Sequence, residues 1–230
     1  MIKAVIFDLD HTLFDRHATL RAIAPLFRKH FDVNSGITDD YIAEKWIYAD
    51  DRYVYDGWRY IFEYLKENGI FKTAPSFDDY RSFVFLTFAE IAVKFDFTYP
   101  MLMSLKRDGL KVALITNGRH ELQYKKLSLI GLRYIFDEII VSGDVMIEKP
   151  DADIFLMMCE KLGVQPSECV YVGDNPFNDI GGAKGAGMYT FHIKTVYSNP
   201  KAPAADIEIN TVADVPDALC TLEQRISSDE

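Results

Sequence analysis

Residues 3–12 read KAVIFDLDHT. The first seven form an apolar run, rich in β-forming residues and too short for a helix. Such a run predicts a strand buried on both faces, as inside a parallel sheet. At its carboxyl end it meets Asp8 and Asp10, two residues apart, and then Thr12. Open parallel sheets bind their ligands beyond the carboxyl ends of the strands, so these residues stand where chemistry is expected.

Four similar runs come later: KVALIT at 111–116, EIIVS at 138–142, CVYVG at 169–173 and MYTFHI at 188–193. Helical patterns separate them. Residues 121–131 close on a glycine, residues 151–162 stop at Gly163, and a third helix runs from near Asn178 to about Gly185. Strand alternating with helix predicts an α/β fold, a doubly wound parallel sheet with helices on both faces. Residues 16–95 break this rhythm. Amphipathic helices are expected at 18–31, 39–50, 57–68 and 77–95, with no convincing strand between them. This segment carries 18 of the 31 aromatic residues and only three of the 13 glycines. It reads as a helical domain inserted after the first strand, with residues 1–15 and 96–230 forming the α/β core domain. Most of its aromatics are expected in the core of a small bundle. Trp46, Tyr53, Tyr55 and Trp58 are candidates for lining a pocket.

Composition narrows the function. The 230 residues are 49% hydrophobic, enough for a folded core, and carry a formal net charge of -10. That charge repels phosphate backbones and argues against a nucleic-acid partner. Three cysteines without a C-x-x-C spacing predict neither a disulfide framework nor a structural zinc site. The N-terminal apolar run is too short for a signal peptide. The stretch 82–95 falls short of a membrane span and contains Glu90 and Lys94. A cytoplasmic protein without a membrane partner is expected. No feature of the sequence sets an oligomeric state.

Each conspicuous polar group falls near the carboxyl end of its own predicted strand. Asp8, Asp10 and Thr12 come after the first, Thr116-Asn117-Gly118 after the second, Lys149-Pro150 after the third, and Gly173-Asp174 through Asp179 after the fourth. Four carboxylates in one crevice repel one another. A hard dication relieves this, and Mg²⁺ suits oxygen ligands and a substrate phosphate. No His/Cys cluster competes for a softer metal, and His11 is expected to be a spacer contributing backbone. Thr116, Asn117 and Lys149 supply a hydroxyl, N–H groups and an ammonium for phosphoryl oxygens.

With DLDHT at 8–12, ITNG at 115–118, EKPD at 148–151 and GDNPFND at 173–179, the chain resembles the haloacid dehalogenase superfamily in its phosphatase branch. TNGRHELQYKKL at 116–127 is more locally similar to a nucleotidase-like subgroup. The resemblance implies a strand order of 5-4-1-2-3, with the Asp8 and Asp174 strands adjacent. It implies a helical cap for 16–95, in the first-type position after the nucleophile strand. It implies Asp8 as a nucleophile forming an aspartyl-phosphate, and Asp10 as general acid and then base. Mg²⁺ is implied between the Asp8 and Asp174 carboxylates and the Asp10 carbonyl, with Asp179 supporting that sphere. Thr116 and the amide of Asn117 grip the phosphoryl group, Lys149 offsets its charge, and Thr12 steadies the first loop.

An acid at Asp10 favours phosphate esters over halides, since departing halide needs no proton. A phosphonate hydrolase needs a cap lysine, and none of Lys29, Lys45, Lys66 and Lys72 stands out. A phosphosugar mutase uses the same intermediate. A receiver-like phosphoacceptor module lacks both the second Asp and the insertion. The expected substrate is a small phosphorylated metabolite, first among them a nucleoside monophosphate.

Overall fold

The computed structural model describes residues 1–54, 56–195 and 203–228, so Tyr55 lies outside the described residues. The chain divides into two compact units, Met1–Phe14 with Lys94–Glu230, and Asp15–Val93. The first unit opens with β1 (Ala4–Phe7). The second holds α1 (Arg16–His30), α2 (Asp39–Tyr53), α3 (Trp58–Glu67) and α4 (Phe77–Phe88). The chain then resumes the first unit with α5 (Thr98–Arg107), β2 (Lys111–Thr116), α6 (His120–Leu129), β3 (Glu138–Val141), α7 (Ser142–Val145) and α8 (Ala152–Leu162). It continues through β4 (Cys169–Gly173), a π-helical turn (Pro176–Gly181), α9 (Gly182–Gly185), β5 (Tyr189–Ile193), β6 (Ile207–Ile209) and α10 (Val215–Ser228).

The sheet has six strands in the order β3-β2-β1-β4-β5-β6, every pairing parallel. This contains the implied order 5-4-1-2-3, and β6 extends it beyond β5. All of β1 and all of β4 are buried, as a strand covered on both faces requires. Phe7 is in register with Leu114 on one side and Val172 on the other. The strand order reverses between β1 and β4, which opens a crevice at their carboxyl ends. Beneath it, Ile6, Ile115, Phe155, Met158 and Tyr171 belong to one buried cluster.

Three elements escaped the sequence reading. β6 is three residues long, too short for a period to register, and α5 and α10 lie where no strand-end motif drew attention. β3 ends at Val141, and Ser142 begins a helical turn instead of closing the strand.

In the helical unit, Thr38 and Ser76 cap α2 and α4 by accepting from the amides of Tyr41 and Asp79. The apolar faces close around Phe27, whose ring lies 5.1 Å from Trp46 and 5.9 Å from Phe83. Trp46 is 1% exposed. It is therefore core and not a pocket residue, whereas Tyr53 and Trp58 are half-buried. Arg16 and Asp50 form a buried two-point ion pair at 2.6 and 2.9 Å. The last helix stops at Phe88 instead of reaching residue 95. Near its end the Thr87 hydroxyl donates to the Phe83 and Val84 carbonyls, and the chain leaves helical geometry after Ala89. Among the described residues, no helix is long and apolar enough to cross a membrane.

Candidate active site

β1 delivers Asp8 to the crevice, and the Asp8 amide still donates to the Val172 carbonyl at 2.9 Å, which holds it beside β4. The chain then turns sharply. The Leu9 carbonyl accepts from the amides of Leu13 and Phe14 at 2.9 and 3.0 Å, and His11 takes the left-handed conformation at φ 58°. His11 thus shapes the backbone of this loop. The Thr12 hydroxyl is buried and has no hydrogen-bond partner among the described residues. The Thr12 amide donates to the Leu9 carbonyl at 3.3 Å.

β4 delivers Asp174, and the turn after it returns Asp179. Asn175 organises that turn by accepting from the amides of Phe177 and Asn178 at 2.9 and 2.8 Å. Asp179 folds back over Gly173, where an added Cβ would lie 2.5 Å from its carboxyl. A glycine is required there for this approach. The second oxygen of Asp179 accepts from the Asn175 amide at 2.9 Å. Asp8, Asp174 and Asp179 are all buried, and they bring carboxylate oxygens within 4.8 Å of one another.

Lys149 meets this cluster. Its ammonium donates to Asp8 Oδ1 at 2.6 Å, to Asp179 Oδ1 at 2.6 Å and to the Tyr171 hydroxyl at 2.9 Å. The Tyr171 hydroxyl in turn donates to the Ile115 carbonyl at 3.1 Å. Asn117 fixes the Lys149 loop with its side chain: Nδ2 donates to the Lys149 carbonyl at 3.0 Å, and Oδ1 accepts from the Lys149 amide at 2.9 Å. Burial would lower the Lys149 pKa, but Asp179 and Asp8 overrule it and hold the ammonium charged, well above its ordinary range. Burial pushes the Asp8 carboxyl up to about 8, with Asp179 and Asp174 adding to the rise and Lys149 opposing it. The crevice therefore holds more carboxylate than one ammonium can balance. Three hard oxygen donors of this kind fit a divalent cation.

On the other side of Asp8, the Thr116 hydroxyl accepts from Gln123 Nε2 at 2.5 Å. Its own hydrogen remains available to a ligand oxygen. The Asp10 carboxylate accepts from Lys126 Nζ at 2.7 and 2.9 Å and from Gln123 Nε2 at 3.1 Å.

The structure thus brings Asp8, Asp10, Thr116, Asn117, Lys149, Asp174 and Asp179 to the carboxyl end of the sheet, Thr116 as the last residue of β2 and the others beyond the strand ends. Gln123, Lys126 and Tyr171 belong with them, and the sequence motifs did not point to them. Tyr171 reads as one more apolar residue of a buried strand. Gln123 and Lys126 had a usable signal, because residues three apart share a helix face and this helix begins directly after Thr116-Asn117-Gly118.

The sequence matches the haloacid dehalogenase-like hydrolase family over residues 2–187. The chain belongs to this family. It is an enzyme of the family's phosphatase branch. It is 30% identical over 237 residues to glyceraldehyde 3-phosphate phosphatase of Methanopyrus kandleri, covering 94% of this chain and 92% of that one. The protein of the same name from Methanocaldococcus jannaschii is 29% identical, covering 97% and 100%. Among solved structures, a HAD phosphatase from Thermococcus onnurineus superposes with a TM-score of 0.64 at 29% identity, over 95% of this chain and 98% of that one.

Proposed function

We propose that this chain is a Mg²⁺-dependent phosphomonoester hydrolase for a small phosphorylated metabolite, working through a phosphorylated Asp8. The observation that carries the reading is the placement of Lys149 between Asp8 and Asp179, at 2.6 Å from each, beside the buried Asp174. An ammonium and a carboxylate cluster at the carboxyl end of β1 suit a reaction that brings a dianionic phosphate onto a carboxylate. Asp8 and Asp174, with the Asp10 carbonyl, would hold the cation, which supplies positive charge against the phosphoryl oxygens when bound.

Each residue has its own part in the two displacements. An Asp8 oxygen attacks phosphorus, and the bond to the leaving oxygen breaks. That oxygen takes its proton from the Asp10 carboxyl. Asp10, now a carboxylate, removes a proton from water as the water oxygen attacks the phosphorylated Asp8. The bond from Asp8 to phosphorus breaks, inorganic phosphate leaves, and Asp10 has its proton back. Thr116 and the Asn117 amide hold phosphoryl oxygens, and Lys149 offsets the charge that gathers on Asp8 and the transferring group. The unit Asp15–Val93 is read as the cap that selects the substrate.

For the substrate, the relatives aligned over almost the whole chain, named for glyceraldehyde 3-phosphate and for phosphoglycolate, favour a two- or three-carbon phosphate over a nucleotide. Burial of Trp46 removes one of the two tryptophans available to stack on a base. The test is phosphate release in Mg²⁺ from glyceraldehyde 3-phosphate, phosphoglycolate, a nucleoside monophosphate and p-nitrophenyl phosphate. Many turnovers per chain are expected with at least one small alkyl phosphate. Asp8→Asn should lower them about 10⁴-fold or more, on the scale of losing an enzyme nucleophile. A single stoichiometric event, or full activity in the Asp8 variant, would overturn the reading.

A further inference from the structure

We propose that Lys126, with Gln123 one turn before it on α6, is a positioning residue that fixes the Asp10 carboxylate relative to Thr116. The inference rests on the proposed role of Asp10 as acid and base.

The Lys126 side chain is 4% exposed, whereas that of Asp10 is 28% exposed. Burying an ammonium forfeits its hydration, and fixing its four-carbon stem costs rotamer freedom. A surface ion pair keeps most of that hydration. Here the ammonium reaches both Asp10 oxygens, at 2.7 and 2.9 Å, and lies 5.0 Å from the centre of the buried Phe14 ring. A cation on one oxygen leaves the carboxylate free to rotate. Contacts on both stop that rotation.

Gln123 is 1% exposed and adds the second half of the clamp. Its Nε2 lies 3.1 Å from Asp10 Oδ2, 2.5 Å from Thr116 Oγ1 and 3.2 Å from the Asn117 carbonyl. Asp10 comes after β1 and Thr116 ends β2, and these strands are neighbours. One helix face therefore sets the separation between the proton-transferring carboxyl and the phosphoryl-gripping hydroxyl. A displacement of about 1 Å in such a pair costs on the order of 100-fold in rate. The adjacent Lys125 is exposed and offers a built-in control.

The experiment compares Lys126→Met, Lys125→Met, Asp10→Asn and the double variant Lys126→Met/Asp10→Asn. Each is assayed with p-nitrophenyl phosphate and with the best alkyl phosphate, and each melting temperature is recorded. Alkyl leaving groups depend on the acid, and p-nitrophenolate hardly does. Lys126→Met should lower kcat/KM for the alkyl phosphate about 10- to 100-fold and leave kcat/KM for p-nitrophenyl phosphate nearly unchanged, since kcat/KM stops at release of the leaving group, before the water step that both substrates share. Lys125→Met should change neither. The double variant should be no worse than Asp10→Asn, and Lys126→Arg should recover part of the loss. Equal losses of kcat/KM on both substrates, or a further loss of kcat/KM in the double variant, overturn the proposal. If Asp10→Asn itself lowers kcat/KM equally for both substrates, the acid role of Asp10 fails first and takes the proposal with it. Should Lys126→Met not fold, Gln123→Met is read by the same leaving-group contrast.

Discussion

The Lys149 ammonium lies 2.6 Å from the Asp8 carboxylate, with both side chains under 10% exposed. A second contact of the same length joins it to Asp179. One buried cation thus serves two buried acids while a third, Asp174, stands beside them. On the proposed reading, stability and catalysis are coupled at this point.

Lys149→Met removes the cation and leaves the acids facing one another. The loss of stability at pH 8 should be about 3–5 kcal/mol, the usual cost of breaking a buried pair. At pH 5 it should be smaller, because the carboxyls then accept protons in place of the ammonium. Urea denaturation of the metal-free variant at the two pH values checks this. Phosphate release should fall about 10²- to 10³-fold, the scale for one group that stabilises the transition state. A loss of stability that does not depend on pH would show that Lys149 is held for packing alone.

Asp8 offers a test with a definite sign. Its carboxyl titrates near 8 in the fold against 3.8 ordinarily, raised by burial and by Asp179 and Asp174. At low pH, below both values, the group is protonated folded or unfolded and costs nothing. As pH climbs from 3.8 toward 8, the unfolded chain gains by ionising while the folded one holds its proton, so stability falls. Asp8→Asn removes that loss. The metal-free variant should melt higher than the parent at pH 8, at about 2–4 °C per kcal/mol, and close to it at pH 4. A divalent cation must displace the same proton. Its affinity should rise about tenfold per pH unit below 8 and then level off, with about one proton released near neutrality. Calorimetry in two buffers of different ionisation enthalpy measures that proton. A pH-independent affinity would remove Asp8 from the cation site.

Substrate choice can be read through the two tryptophans. Trp46 packs at 5.1 Å from Phe27 and 6.2 Å from Tyr80, so Trp46→Ala should cost about 3–5 kcal/mol of stability. It should leave the ratio of kcat/KM for a nucleotide over p-nitrophenyl phosphate unchanged. Trp58 is half-buried and free of that core role. If it stacks on a base, Trp58→Leu lowers the nucleotide ratio through KM while the melting temperature holds. An unchanged ratio in the folded Trp58 variant takes the last tryptophan from the nucleotide reading and favours the small alkyl phosphates.

The sheet and the polar ends of its strands were legible in the sequence because both depend on local pattern. A strand buried on two faces must be an unbroken apolar run, as 4–7 and 169–173 are, and a crevice at strand ends must draw its polar residues from the positions after each run. Asp8, Asp10, Thr116, Asn117, Lys149, Asp174 and Asp179 could all be named on that ground. Which of them touch could not. That Asn117 holds the Lys149 loop through its side chain, that Tyr171 completes the coordination of the ammonium, and that Lys126 rather than Lys125 reaches Asp10 are matters of side-chain direction across elements distant in sequence. The same holds for Trp46, whose helical spacing fits a pocket wall as well as a core until the neighbouring helices close over it. Periodicity assigns a residue to a face. Only packing of that face against its neighbours decides whether a charge there meets a partner, and a buried ammonium is tolerated only where it does.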